Sequence, residues 1–149
     1  MRAVLQRVHR ASVAVDGRLV SQIERGLLVF VGIAAGDGPA DIAYIASKVR
    51  DVRVFADHLG RMNRSVQDVG GAVLVVSQFT LMADARKGRR PSFDAAEAPE
   101  DARRTYETLL IELKRSGIAL QSGVFQADMQ VKLINDGPVT VLLDSRRVF

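Results

Sequence analysis

Ala72-Val73-Leu74-Val75-Val76-Ser77-Gln78-Phe79-Thr80-Leu81 divides into five apolar residues and an abrupt polar-aromatic half. The first half is short, rich in β-branched residues and preceded by the turn pair Gly70-Gly71, which is the pattern of a strand buried on both faces. Backbone amides and small hydroxyls at the end of such a strand suit the binding of a reacting carbonyl, because the sheet fixes their direction. A strand that simply reaches the surface gives the same pattern, so this stretch alone sets the architecture and leaves the function open.

Working outward, Val4 to Val15 and Arg18 to Ile23 flank Asp16-Gly17, a strong hairpin signal. Leu27 to Ile33 is a nearly continuous apolar run fit for a central strand. After Gly36-Asp37-Gly38-Pro39 breaks the sheet, Ile42, Ile45, Ala46 and Val49 fall on one helical face. Val52 to Phe55 alternates as a strand, and Ala56 to Ser65 reads as a polar loop. A second helix opens at Pro99 with Ala102, Tyr106, Leu109, Leu110 and Leu113 facing the core, and Gly117 stops it. Ile118 to Gln121 and Met129 to Leu133 read as strands. Asn135-Asp136-Gly137 looks like a hairpin turn, with Pro138 before a returning strand from Val139 to Leu143. The expectation is one α/β domain over residues 1–149: a mixed β-sheet with an N-terminal hairpin and two main helices.

Composition narrows the chemistry. The 149 residues include no cysteine and only two histidines, His9 and His58, both in polar or basic surroundings. Thiol nucleophiles and disulfides are excluded, and material for a catalytic triad or a zinc or iron site is thin. No Walker loop and no G-x-G-x-x-G is present. The expectation is an enzyme, if it is one, that uses neither metal nor cofactor nor a strong base. The N-terminus lacks a signal-peptide core and no apolar run is long enough to span a bilayer, so a cytoplasmic protein without a membrane role is expected. The formal net charge is +4, with Arg86, Lys87, Arg89 and Arg90 clustered around Gly88. This cluster lies in an aperiodic loop from Met82 to Ala98, and it fits a phosphate contact or a solvated basic loop.

Ser77-Gln78-Phe79-Thr80-Leu81 together with Asn135-Asp136-Gly137-Pro138-Val139-Thr140 resembles the signature pair of the D-aminoacyl-tRNA deacylases, also called D-tyrosyl-tRNA deacylases. Arg7-Val8, Ala11-Ser12-Val13, Gly26-Leu27-Leu28, Met62-Asn63, Lys87-Gly88, Arg90-Pro91-Ser92-Phe93, Gly123, Phe125 and Ala127-Asp128-Met129 follow in the family's order. Gln126 and Ser21 stand where the family more usually has glycine.

The resemblance implies a homodimer with active sites at the interface, acting on tRNA. The reaction implied is hydrolysis of the ester between a D-amino acid and the 3′-terminal adenosine, with glycine on the tRNA for alanine also removed. It places the catalytic segment at Ser77, Gln78, Phe79 and Thr80; because the aminoacyl ester is already reactive, backbone amides near Phe79 and Thr80 are the expected oxyanion site, with Ser77 and Gln78 holding the substrate. Participation by the adenosine 2′-hydroxyl is favoured over Thr80 as nucleophile. Gly137 and Pro138 would form a cis pair that enters the partner's pocket and rejects L-amino acids by shape. Phe125, Ala127 and Met129 would bind adenine and the substrate backbone, although core packing also accounts for Phe125 and Met129. Arg86, Lys87, Arg89 and Arg90 would meet tRNA phosphates. The alternative reading is a non-catalytic nucleic-acid-binding dimer.

Overall fold

The structure, a computed structural model, describes residues 1–149. The first strand, β1 (Arg2–Val15), pairs with three other strands of the sheet. Its second half pairs with β2 (Arg18–Ile23) through the Asp16-Gly17 turn, and its first half pairs with β3 (Gly26–Gly32). Helix α1 (Pro39–Asp51) buries Ile42, Ile45, Ala46 and Val49, the face expected from their spacing. Its start is fixed by Pro39 in the first turn and by the Asp41 carboxylate, which accepts from the Gly38 N–H at 2.9 Å. A small hairpin of β4 (Phe55–Ala56) and β5 (Met62–Arg64) follows.

The stretch Ala72–Ser77 is β6, and it runs parallel to β3 on one side and to β7 (Ala119–Ser122) on the other. Alternate side chains of β6 enter two cores. Val73 and Val75 join the cluster under the helices, while Leu74 and Val76 join a second cluster with Val8, Val13 and Leu28 on the opposite face. Burial on both faces is what a continuous apolar strand requires. Helix α2 (Pro99–Arg115) makes the crossover from β6 to β7 and buries Ala102, Tyr106, Leu109 and Leu113. The Tyr106 hydroxyl donates to the Val75 carbonyl at 3.0 Å, which ties the helix to the central strand.

Three local expectations differ from the structure. Asn135-Asp136-Gly137 is not a hairpin turn: β8 runs unbroken from Gln130 to Asp144, antiparallel to β1 throughout. Asp136, Gly137, Pro138 and Val139 form a bulge opposite Arg7 alone, since Asn135 pairs with Val8 and Thr140 with Gln6; Gly137 and Pro138 are exposed and Val139 is buried. The Asn135 side chain replaces the missing ladder bonds: its Oδ1 accepts from the Val139 N–H at 2.7 Å and its Nδ2 donates to the Val139 carbonyl at 3.0 Å. Val52 belongs to the end of α1, its N–H donating to the Lys48 carbonyl, so only Phe55–Ala56 remains as strand. The loop Ala56 to Ser65 contains β5.

The resulting sheet is antiparallel around β1 and parallel across β3, β6 and β7. The outer edge of β8 carries no partner strand.

Candidate active site

A cleft of about 460 Å³ opens beyond the C-terminal ends of β3 and β6. Ligands gather at that end of parallel strands because the chain leaves the sheet there and frees its polar groups. Val31 and Ile33 come from β3 and its exit, Val76 to Phe79 from β6 and its exit, and Phe125 to Met129 from the segment after β7. Ser77 still pairs with Val31, and the Gln78 N–H donates to the Val31 carbonyl at 2.7 Å, so the sheet holds the polar segment up to that residue.

Phe79 to Met82 then form one 3₁₀ turn. Its first two N–H groups have no intrahelical partner by geometry, and no turn or loop bond takes up the N–H of Phe79 or Thr80. Both are unengaged backbone donors. Close backbone approach fixes the turn: a Cβ added at Gly32 would lie 2.8 Å from the Gln78 carbonyl oxygen and 3.0 Å from Leu81 Cβ. Arg2 holds the far end, donating to the Leu81 carbonyl and to the Asp144 carboxylate, each at 3.0 Å.

Phe125 is braced from outside the cleft. The Arg103 guanidinium sits 4.8 Å from its ring centre and the Tyr106 ring 5.6 Å away. Burial pushes the Tyr106 phenol above its ordinary pKa, so it is neutral and a donor under all physiological conditions. Phe79 is exposed and packs edge-on against Phe93 at 5.1 Å, which joins the 3₁₀ turn to the basic loop.

The structure therefore gathers Ser77, Gln78, Phe79, Phe125, Ala127 and Met129 around one cleft. Thr80 is exposed and is not among the lining residues; its hydroxyl accepts a hydrogen bond from the Gln78 amide. Gly137 and Pro138 stand apart on the β8 bulge, joined by a cis peptide bond. Arg7 holds this bulge: its Nε donates to the Asp136 carbonyl at 2.9 Å and lies 3.2 Å from the Asp136 carboxylate, while its Nη1 donates to the Val54 carbonyl. His9, exposed, reaches the same carboxylate at 3.4 Å, and His58 is exposed in the β4–β5 hairpin.

Arg86, Lys87, Arg89 and Arg90 are all exposed. The Asp84–Ser92 bridge closes their loop at its base. Arg86 is committed to Asp84 through two side-chain bonds of 2.9 and 2.6 Å, which hold that carboxyl well below the usual carboxylate range. Lys87, Arg89 and Arg90 take part in none of the ion pairs.

Two carboxylates of the cleft were not singled out from the sequence. Both oxygens of Glu97 are occupied by backbone N–H groups of Gly36 and Ala98; Asp128 lines the cleft without such partners. Their only sequence signal was position, Glu97 just before the α2 start and Asp128 inside the pocket segment. No group of three or more His, Cys, Asp or Glu is placed to hold a metal ion.

The family model described as D-Tyr-tRNA(Tyr) deacylase matches residues 4–144. The chain belongs to the D-tyrosyl-tRNA deacylase family. It is 54% identical to the D-aminoacyl-tRNA deacylase of Desulfotalea psychrophila and 56% identical to that of Anaeromyxobacter dehalogenans, each over 149 residues and 100% of both chains. Among solved structures, one described as c-Myc DNA Unwinding Element Binding Protein superposes with a TM-score of 0.92 at 40% identity, covering 97% of this chain and 98% of that one. A probable eukaryotic D-amino acid tRNA deacylase superposes with a TM-score of 0.82 at 16% identity, covering 95% and 97%, and so shares the deacylase fold. No helix is long and apolar enough to cross a membrane.

Proposed function

We propose that this deacylase-family chain hydrolyses the ester of D-aminoacyl-tRNA, releasing the D-amino acid and intact tRNA in the cytoplasm. The observation that carries the reading is the pair of unengaged amides at Phe79 and Thr80, held at the end of a buried strand and beside a cleft with an aromatic wall. An aminoacyl ester is already activated, so attack needs a positioned water and stabilisation of the oxyanion as it forms. The two amides stabilise that oxyanion; Ser77 and Gln78 hold the ester, and the terminal adenosine's 2′-hydroxyl assists proton transfer. Phe125, Ala127 and Met129 receive the adenine and the substrate backbone.

Chirality is selected by exclusion. Gly137 and Pro138 do not line the cleft of their own chain, so they act on substrate only from a second copy. The unpaired β8 edge supports such a homodimer: it exposes Ile134 (44%) and Leu142 (59%) beside the bulge, and a long bare edge favours pairing. In the dimer the bulge forms a wall against which an L-side chain clashes, while a D-side chain points to solvent. Glycine, lacking a side chain, passes, which permits removal of glycine from the tRNA for alanine. Lys87, Arg89 and Arg90 approach the tRNA phosphates, with Arg86 shaping the loop.

A second reading, a nucleic-acid-binding dimer without chemistry, draws on the exposed basic loop and on the printed name of the 40%-identical DNA-unwinding-element binding protein. One assay separates them. Purified protein is given D-tyrosyl-tRNA, L-tyrosyl-tRNA and a small D-tyrosyl ester. Hydrolysis of the first alone supports the deacylase; binding of all tRNAs with release from none supports the second reading and overturns the first.

A further inference from the structure

Gln126 holds a backbone conformation that residues with a side chain avoid. Its φ is +67°, in the left-handed region where a Cβ crowds the following carbonyl. The Ala127 N–H donates to the Val124 carbonyl at 3.3 Å, so Gln126 is the third residue of a tight turn. A turn with positive φ at that place ordinarily takes glycine. The turn adjoins a braced side chain: Phe125, the residue before, packs against Arg103 and Tyr106.

Nothing inside the chain explains glutamine here. No side-chain hydrogen bond involves any residue between Ser116 and Asn135, so the Gln126 carboxamide is unused, and it is exposed while lining the cleft. Strained residues kept at a binding site point to a role of the side chain itself. The carboxamide offers a donor and an acceptor side by side, the pattern that matches the amino and ring-nitrogen edge of adenine. Next to it, the Phe125 ring and the Met129 thioether present flat and soft apolar surfaces suited to the face of a base.

We propose that Gln126 is a specificity residue of this chain: its carboxamide hydrogen-bonds the 6-amino edge of the terminal adenine, while Phe125 and Met129 take the base's face. The inference rests on the deacylase reading and adds to it a side-chain contact that selects the end of the acceptor strand. The backbone turn alone would grip any base.

The test uses the full-length protein and two D-tyrosyl-tRNA substrates, one ending in adenosine and one in purine riboside, which lacks the 6-amino group. Gln126→Gly relieves the backbone and is expected to raise Tm by about 2–4 °C. On the adenosine substrate its KM rises about fivefold, the loss of a side-chain hydrogen bond pair, and the effect falls on KM rather than kcat. On the purine-riboside substrate, which keeps the ring nitrogen but lacks the amino partner, the KM difference between the two enzymes shrinks to about twofold. Gln126→Asn, whose shorter amide tolerates the left-handed turn, behaves like Gln126→Gly on both substrates. An equal KM change on both substrates would mean that the turn's mobility matters and the amide does not; no change on either would also overturn the proposal. Wild-type turnover of the adenosine substrate is measured first, so a protein that hydrolyses neither refutes the deacylase reading itself and is told apart from a failure at Gln126.

Discussion

Replacing Arg7 with alanine removes the clamp on the β8 bulge. Arg7 is only 13% exposed and Asp136 30%, so water replaces the lost contacts poorly. Two charge-assisted bonds disappear, to the Asp136 carbonyl and to the Val54 carbonyl, together with the Asp136 ion pair. At 1.5–3 kcal/mol for each bond to a charged group, and the low end for a half-open site, the loss is about 3 kcal/mol. A domain of this length then melts about 6–12 °C lower and still folds, since typical stabilities are about 5–15 kcal/mol.

The functional consequence follows from where the clamp acts. Val54 lies before the β4–β5 hairpin and Asp136 next to Gly137, so Arg7 sets the distance between the bulge and the body of its own subunit. If about half of the lost energy is felt at the bulge, the population of correctly placed wall falls about tenfold relative to displaced forms. L-tyrosyl-tRNA hydrolysis should rise about tenfold while D-tyrosyl-tRNA hydrolysis changes little. Arg7→Lys keeps the charge but loses the forked geometry, and should fall between the two. Thermal denaturation and single-turnover hydrolysis of both substrates measure the two effects. A melting point that drops with L-tyrosyl-tRNA still fully rejected would refute the argument that this bulge carries chirality.

Gly32→Ala brings a Cβ to 2.8 Å from the Gln78 carbonyl; the 3₁₀ turn shifts, and kcat for D-tyrosyl-tRNA should fall about tenfold or more at modest change in KM, as misplacement of an oxyanion donor requires. Thr80→Ala should retain most activity, because the proposed donor is the amide, whereas an acyl group trapped on Thr80 would reassign the mechanism. Tyr106→Phe should cost about 1 kcal/mol at neutral pH, since Val75 keeps the Gly123 N–H at 2.9 Å. The raised Tyr106 pKa means that the unfolded chain loses this proton from about pH 10 while the folded chain retains it, so wild-type stability declines above that pH; alkaline melts of Tyr106→Phe should lack this component. Removing the charges of Lys87, Arg89 and Arg90 should flatten the salt dependence of KM for tRNA by more per charge than Arg86→Ala, because Arg86 is already neutralised by Asp84; equal slopes would place the tRNA elsewhere.

How much of this was legible in the sequence varied with the range of the interactions. The double burial of Ala72 to Val76, the first hairpin and both helices are local patterns, and periodicity with turn chemistry was enough to place them. The assembly of the cleft was less visible, because Val31 and Ile33 look like any strand residues until β3 and β6 lie side by side. Arg103 was unremarked for the same reason: its position over Phe125 depends on how α2 crosses toward β7.

The bulge shows where local rules fail. Asn-Asp-Gly followed by proline is a turn pattern, and a two-strand hairpin was the economical reading. A hairpin there would have sent Val139 to Leu143 back alongside Met129 to Leu133, leaving the side of β1 away from β2 and β3 paired over only half its length. Pairing β8 along all of β1 keeps Val139 and Leu143 in the larger core, with Val131 and Leu133 against the smaller one, and apolar burial on that scale outweighs a turn propensity. Of the four residues left out of the ladder, Gly137 and Pro138 are exposed while Val139 stays in the core, and Asn135 and Arg7 satisfy the polar groups the ladder leaves behind. The same competition that defeated the local reading leaves a braced, exposed Gly137-Pro138 pair on an open sheet edge, the shape that the proposed wall for a neighbouring subunit requires.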